Sequence, residues 1–154
     1  MSELEKILYP ATATIIGGII ILLVSKFIIG PIYEYRKAIG AIAKDLIFYA
    51  RLYVNPGPIR DRQLGTIRIL PEQTQAEDTL RQHAGNLRAC TQAIPLYWLW
   101  EKLRIVRSKS NIDKAYKNLI YLSNSIVQGN PEENKWSRNN IVEALGFKDL
   151  FPKA

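Results

Sequence analysis

The sequence predicts an all-α protein in which a single N-terminal transmembrane helix is followed by a cytoplasmic bundle of four to five helices. Three observations support this class. Nineteen consecutive uncharged residues run from Ile7 to Ser25, apolar residues recur at spacings of three and four in the rest of the chain, and helix start and stop residues lie between those stretches. We expect residues 1–31 to form the membrane anchor and residues 32–154 to form the cytoplasmic helical domain.

The N-terminal apolar run is close to the length that a membrane requires. A bilayer core of roughly 30 Å is crossed by about 20 helical residues, and Phe27–Tyr33 extends the run beyond Lys26, whose side chain can reach lipid headgroups. A buried core helix is one alternative, but so small a domain cannot cover nineteen apolar residues on every side. A cleavable signal peptide is another, but Glu3 and Glu5 precede the run and no clear cleavage site follows it.

Basic residues lie mainly after the apolar run. Lys6 alone precedes it, whereas five basic residues follow it: Lys26, Arg36, Lys37, Lys44 and Arg51. Because the cytoplasmic flanks of membrane helices carry an excess of Lys and Arg, we expect a single-pass protein of a cell inner membrane. Its C-terminal domain is expected in the cytoplasm.

The first helix of the domain is predicted to follow the membrane helix closely. Gly30-Pro31 is expected to kink or end the membrane helix, because proline lacks a backbone donor. Beyond it, one apolar stripe predicts a helix that reaches about Val54: Ile39, Ile42, Ala43, Leu46, Ala50 and Tyr53. Asn55-Pro56-Gly57-Pro58 ends this helix. Residues 57–71 are expected to form a loop that is either wholly irregular or contains a short strand around Thr66–Leu70.

A long helix is predicted from Pro71-Glu72 to Ala93, with acidic residues near its N-terminus. Its inward stripe has helical spacing: Ala76, Leu80, Ala84, Leu87, Thr91 and Ile94. Pro95 breaks the chain, and Leu96–Trp100 begins a short helix that ends before Ser108.

Two further helices are predicted in the C-terminal third. Ser110 or Asn111 is expected to cap the first of them. The second has a strong start signal, because Asn130 precedes a proline and two acidic residues, and it is expected to end at Gly146.

No arrangement of reactive side chains predicts an enzyme. His83 is the only histidine and Cys90 the only cysteine, and two helical turns of about 10 Å separate them, so they cannot form a nucleophile–base pair. We interpret Cys90 as a small apolar bundle residue and His83 as a polar residue at the core or its edge. The sequence contains no glycine-rich phosphate motif, and we expect no cofactor and no metal.

The charge of the chain favours an anionic neighbour. Lys and Arg number 21 against 14 Asp and Glu, a net charge of +7. Six basic residues are candidates for binding an anion or a lipid headgroup: Arg81, Arg88, Lys102, Arg104, Arg107 and Lys109. The first interpretation of these residues is a solvated charged face beside buried tryptophans. The second is an anion site, with membrane lipid phosphates or an anionic nucleotide as the expected ligands. Nucleic acid is not expected, since no recognised binding motif accompanies the charge.

Four segments together resemble a family of small, uncharacterised prokaryotic proteins that have one N-terminal membrane helix and a helical domain behind it. The segments are Phe48–Pro56, Ile94-Pro95, Leu122–Ser125 and Gly129–Asn134. The similarity covers most of residues 30–147. These motifs are turn and capping elements with polar residues between them, so the resemblance implies a topology and a prokaryotic origin but no activity.

Three functional hypotheses follow, in order of preference. The first is a membrane-tethered, non-enzymatic interaction module that binds a protein partner or its own copies, with Tyr97, Trp98 and Trp100 as the candidate partner surface. Self-association through the small residues Ala13 and Gly17 is one form of it. The second is an oligomeric, ligand-gated membrane effector, as in anti-phage defence, that senses an anionic nucleotide. The third is an enzyme that acts on lipid at the interface.

Overall fold

The computed structural model describes residues 3–56, 59–60, 67–68, 70–127 and 129–147. Within them the chain is helical apart from its turns and one antiparallel pair of two-residue strands. The elements in chain order are α1 (Glu3–Val24), a π-helical turn (Ser25–Ile29), α2 (Gly30–Phe48), α3 (Ala50–Val54), β1 (Ile59–Arg60), β2 (Ile67–Arg68), α4 (Pro71–Ala93), α5 (Tyr97–Lys102), α6 (Lys109–Ser125) and α7 (Pro131–Leu145).

One helix runs without a break from α1 through the π turn into α2. Among the described residues, this is the one helix long and apolar enough to cross a membrane, and its most apolar stretch buries no side chain against the rest of the protein. The N-terminal apolar helix that the sequence predicted is therefore confirmed.

The helix does not end at Gly30-Pro31. It widens there into the π turn, in which the backbone N–H of Gly30 donates to the carbonyl of Ser25, five residues back. Pro31, which has no N–H to donate, then lies in the first turn of α2. The π turn thus accommodates the proline without interrupting the helix. Of the two predicted outcomes, a helix end does not occur, and the helix is instead locally distorted just before Gly30-Pro31.

Helices α2 and α3 together form the helix predicted to reach about Val54. Three residues of the predicted stripe are fully buried, namely Ile42, Leu46 and Tyr53. The two helices are separated at Tyr49, whose φ of −91° and ψ of 11° leave the helical region. The apolar face nevertheless continues across this break, because Tyr49 and Leu52 are also buried.

Helix α4 has the bounds that the sequence predicted, and five residues of its stripe are buried: Ala76, Leu80, Ala84, Leu87 and Ile94. The Gln73 side chain accepts a hydrogen bond from the backbone N–H of Leu70 at 2.9 Å. This contact satisfies one of the backbone donors that a helix start leaves without an intrahelical acceptor.

The starts of α6 and α7 are both capped by side chains. Ser108, rather than the expected Ser110 or Asn111, caps α6, since its Oγ accepts from the backbone N–H of Asn111 at 3.2 Å. Helix α7 begins as predicted, with the Asn130 side chain accepting from the N–H of Glu132 at 3.0 Å, and it ends at Gly146 in the left-handed conformation, with φ +73°.

The long helices pack in antiparallel succession, α2 on α4, α4 on α6 and α6 on α7. Two contacts for each pair show their directions: Asp45–His83 with Arg51–Glu72, Arg81–Asn124 with Arg88–Tyr116, and Lys114–Glu143 with Tyr121–Glu133. In each pair, the residue numbers rise along one helix as they fall along the other. One end of this packed region, called here the proximal end, therefore lies beside the start of α2 and comprises residues 33–39, 94–111 and 145–147. The distal end comprises residues 47–56, 70–75, 124–127 and 129–134.

A buried polar network joins three helices at the distal end. The Asn134 side chain, fully buried on α7, donates to the carbonyl of Tyr53 at 3.0 Å and accepts from the hydroxyl of Ser125 on α6. The Tyr53 hydroxyl in turn donates to the carbonyl of Leu46 at 2.5 Å. Because unpaired buried polar groups are costly, this network fixes how α3, α6 and α7 meet.

Candidate functional site

The six basic residues proposed from the sequence do not form one cluster. Arg81 lies on α4, toward the distal end, where it pairs with Glu77 on the same helix at 2.6 Å and donates to the side chain of Asn124 at 2.8 Å. These contacts join α4 to α6, so Arg81 serves the packing of these two helices and lies apart from the other five.

Arg88 and Lys109 meet at a cleft between α4 and α6. The Arg88 guanidinium lies 5.1 Å from the ring centroid of Tyr116, and the Lys109 ammonium lies 5.7 Å from that of Tyr97. Both residues line an open cleft of about 380 Å³ that also contains the carboxylate of Asp113. Two cations beside aromatic rings offer a place for an anion that carries a planar group.

At the proximal end, the Arg107 side chain contacts the C-terminus of α7. Its Nε donates to the carbonyl of Leu145 at 3.1 Å, and its guanidinium also lies beside the carbonyl of Gly146. A cation is favoured at the C-terminus of a helix, where backbone carbonyls lack intrahelical donors. The Arg107 guanidinium therefore holds the end of α7 and is already committed to protein acceptors.

The backbone of Arg107 is held as firmly as its side chain. Its N–H donates to the hydroxyl oxygen of Tyr35 at 3.1 Å, and its carbonyl accepts from the hydroxyl of Tyr97 at 2.5 Å. Burial, together with the neighbouring Tyr35, raises the pKa of Tyr97 well above its ordinary value. Tyr97 is accordingly a neutral, buried hydrogen-bond donor that connects α5 to α2 through this turn.

Lys102 and Arg104 are exposed at the proximal end. Arg104 has a positive φ of 59° in the turn that follows α5. It lines an open cleft of about 500 Å³ together with Arg36 of α2, Arg107 and the carboxylate of Glu101. Cations from distant parts of the sequence are thus brought together beside the start of α2.

The three aromatic residues proposed as a partner surface have different surroundings. Trp98 is 63% exposed, whereas Tyr97 is only 6% exposed and Trp100 is half-buried, its indole N–H donating to the carbonyl of Pro95 at 3.0 Å. Tyr97 is unavailable as a surface residue because its ring packs in the core and its hydroxyl is bound to Arg107. Of the three, Trp98 presents most of its side chain to a partner.

His83 and Cys90 lie in separate environments on α4. The His83 Nε2 lies 2.6 Å from the Asp45 carboxylate of α2 in a partly buried pair, so the histidine joins two helices. Cys90 is half-buried, and burial, with a smaller effect of Glu34, raises the pKa of its thiol. A raised thiol pKa reduces the nucleophilic thiolate. Among the described residues, no group of three or more His, Cys, Asp or Glu side chains is placed to hold a metal ion.

An exposed apolar group at the distal end was not identified from the sequence. Phe48 is 70% exposed, and Ile47 and Val54, which also lie at the ends of α2 and α3, are 51% and 43% exposed. The sequence could have indicated these exposed residues, because Ile47 and Phe48 are apolar but fall outside the stripe predicted for the helix that reaches Val54. We call Ile47, Phe48 and Val54 the distal patch.

No protein-family model, no curated protein and no solved structure matches this chain. The resemblance to small prokaryotic membrane proteins therefore stays a prediction that rests on the turn and capping segments quoted above.

Proposed function

We propose that this chain is a membrane-anchored, non-enzymatic interaction module whose helical bundle lies on the cytoplasmic side of a prokaryotic inner membrane. The α1 helix would serve as the single anchor. The orientation of α1 would follow from its flanking charge, because more basic residues follow the apolar stretch, notably Lys26, Arg36 and Lys37, than precede it, where Lys6 is the one example.

The distal patch is the observation that carries the interaction role. Phe48, its most exposed side chain, lines a cleft with Arg51 of α3 and Glu72 of α4, which form an ion pair. Apolar side chains that are grouped on a surface and surrounded by polar groups are typical of protein contact sites. On this proposal, the patch binds a protein partner or a second copy of the chain, at the end of the bundle farthest from the anchor.

The test is site-specific crosslinking of the full-length chain in its native membranes. A photoreactive residue at position 48 is expected to give one dominant adduct, which is either a dimer or a complex with a stoichiometric companion. The same residue at the exposed position Lys117 on α6 is the matched control. If position 48 gives no more adduct than position 117, and the solubilised protein is a monodisperse monomer without a companion, the interaction role is wrong.

A second candidate function is a membrane effector that responds to an anionic nucleotide. The cleft that contains Arg88, Lys109 and the Tyr97 ring is the observation that favours it. A panel of cyclic nucleotides is expected to raise the melting temperature of the full-length protein in detergent, and the double variant Arg88→Ala, Lys109→Ala is expected to lose that effect. Absence of any shift across the panel would exclude this candidate.

A further inference from the structure

We propose that the proximal end of the bundle docks on an anionic lipid surface, that of the same bilayer which α1 crosses. The docking face consists of Leu96, Trp98, Lys102, Leu103 and Arg104, and we call it the interfacial face. This inference rests on the proposed membrane anchor and adds a second membrane contact to it, which would hold the bundle in one orientation.

Position is the first argument for this face. Helix α2 leaves the apolar helix directly, and Tyr35 lies four residues beyond Pro31, the last residue of the expected anchor, or about 6 Å along the axis at 1.5 Å per residue. The Arg107 N–H donates to the Tyr35 hydroxyl oxygen and the Tyr97 hydroxyl donates to the Arg107 carbonyl, and these two hydrogen bonds fix α5 and the following turn at that level. Lipid headgroups extend roughly 5–8 Å beyond each side of the hydrocarbon core, so α5 lies at headgroup depth.

The apolar side chains of α5 and its flanks are the second argument. Leu96, Trp98 and Leu103 lie within eight consecutive residues, and their side chains are 60%, 63% and 56% exposed. Leu96 has a positive φ of 50°, which turns the chain from α4 into α5. Tryptophan is enriched at membrane–water interfaces, where its apolar ring and polar N–H are both satisfied.

Charge is the third argument, and it favours anionic lipid over a neutral surface. Lys102 and Arg104 are exposed among these apolar residues, and Arg36 of α2 lies across the cleft from Arg104. Two carboxylates lie at this end as well. Glu34 pairs with Lys37 at 3.7 Å, and Glu101 is partly buried. Exposed basic residues near an anionic leaflet contribute favourably to binding, and salt screens that contribution.

The experiment measures the depth of single tryptophans in the full-length protein reconstituted into vesicles. Trp98 is retained in a variant with Trp100→Phe and Trp136→Phe, and the acyl chains of the lipids are brominated close to the headgroup. Trp136 on α7 is the matched control, since it is 65% exposed but lies nine residues from Leu145 toward the distal end. Trp98 emission is expected to be quenched at least about twofold more than Trp136 emission.

Lipid composition and charge provide the second measurement. Quenching of Trp98 is expected to be stronger in vesicles of phosphatidylcholine with phosphatidylglycerol than in phosphatidylcholine alone. The substitutions Lys102→Gln and Arg104→Gln are expected to remove at least about half of that difference. Trp98 quenching equal to that of Trp136, or quenching insensitive to both the anionic lipid and the two substitutions, would overturn the proposal. Blue-shifted Trp98 emission without lipid quenching would assign the face to a second copy of the chain, which also overturns it.

Flotation of the vesicles separates this inference from the proposed anchor. Protein that does not float with the vesicles contradicts the membrane anchor itself. Protein that floats, but whose Trp98 is not quenched more than Trp136, contradicts the interfacial face alone.

Discussion

At Gly129, between α6 and α7, a side chain would collide with its neighbours. A Cβ atom there would overlap the carbonyl oxygen and the Cβ of Ser125 and would press on the Asn134 side chain at 3.0 Å. The close approach is needed because Ser125 and Asn134 are hydrogen-bonded to each other in the buried network. Glycine is therefore required here for space, while its conformational freedom is secondary.

We predict that Gly129→Ala destabilises the protein by about 1–3 kcal/mol, because the turn and the network must move apart to admit the methyl group. The matched control is Gly85→Ala on the exposed face of α4, where a Cβ would meet nothing within 4 Å. That control is expected to be neutral or stabilising by up to about 1 kcal/mol. Thermal unfolding of the full-length protein in detergent measures both, and equal effects would contradict this account of Gly129.

Tyr53 supplies a pH-dependent prediction. Burial raises its pKa to about 12, with Arg138 nearby partly offsetting the rise. Because the folded-state pKa exceeds the ordinary value of about 10, the neutral phenol contributes its full stabilisation below pH 10 and loses it as the pH rises toward 12. We expect the melting temperature to fall across this window, and to fall less in Tyr53→Phe. An identical alkaline loss in that variant would show that Tyr53 is not responsible.

At the scale of an element, α7 depends on a residue from outside its own sequence. The Arg107 side chain donates to the carbonyls of Leu145 and Gly146 at the C-terminus of α7. We predict that Arg107→Ala lowers the stability by about 1–2 kcal/mol, since the helix end loses a charged donor. Lys102→Ala, at an exposed position in the same region, is expected to change it by less than about 0.5 kcal/mol. If the two variants have the same melting temperature, Arg107 does not cap the C-terminus of α7.

The elements were predictable from sequence where local signals agree. Helix α4 is bounded by Pro71 and Pro95 and has an uninterrupted apolar stripe, and its ends were predicted correctly. The cap of α6 was not, because Ser108, Ser110 and Asn111 can all cap a helix. The choice of Ser108 is consistent with the contacts that hold the preceding residue, Arg107, against Tyr35 and Tyr97.

The candidate site was less predictable than the helices. Sequence proximity suggested that Lys102, Arg104, Arg107 and Lys109 act together, but the fold assigns them different neighbours. Arg107 contacts a helix end that is 38 residues away, and Lys109 faces the ring of Tyr97. Such pairings depend on the antiparallel packing of whole helices, which periodicity alone does not specify.

At the scale of the whole molecule, the direction of the helices determines which residues can meet a membrane. Helix α2 leads away from the apolar helix, α4 returns, α6 leads away and α7 returns, as the interhelical contacts show. Ile47 and Phe48 of the distal patch therefore lie about 18–20 Å from Tyr35, by the rise of the 12 and 13 residues of α2 that separate them from it. On the proposed function, lipid contacts and protein contacts are made at opposite ends of the bundle.

The anchor is expected to tolerate little charge. We predict that Ile19→Arg combined with Ile20→Arg shifts the full-length protein out of the membrane fraction, because each arginine at the centre of a membrane helix costs about 2.5–3.5 kcal/mol on insertion scales. Gln82→Arg, at an exposed position on α4, is the control and should leave the distribution unchanged. Unaltered membrane association of the double variant would mean that the apolar helix is not what holds the protein there.

The most direct measurement is alkaline carbonate extraction of membranes from cells that express the unaltered full-length chain, followed by ultracentrifugation. Carbonate removes proteins held only by charge, so the basic surfaces of the bundle cannot retain the chain in the pellet. A helix that spans the hydrocarbon core, in contrast, keeps the chain in the membrane pellet. The account predicts that the protein stays with the membranes at its full length. Recovery in the supernatant, or as a product that has lost its first thirty residues, would contradict it.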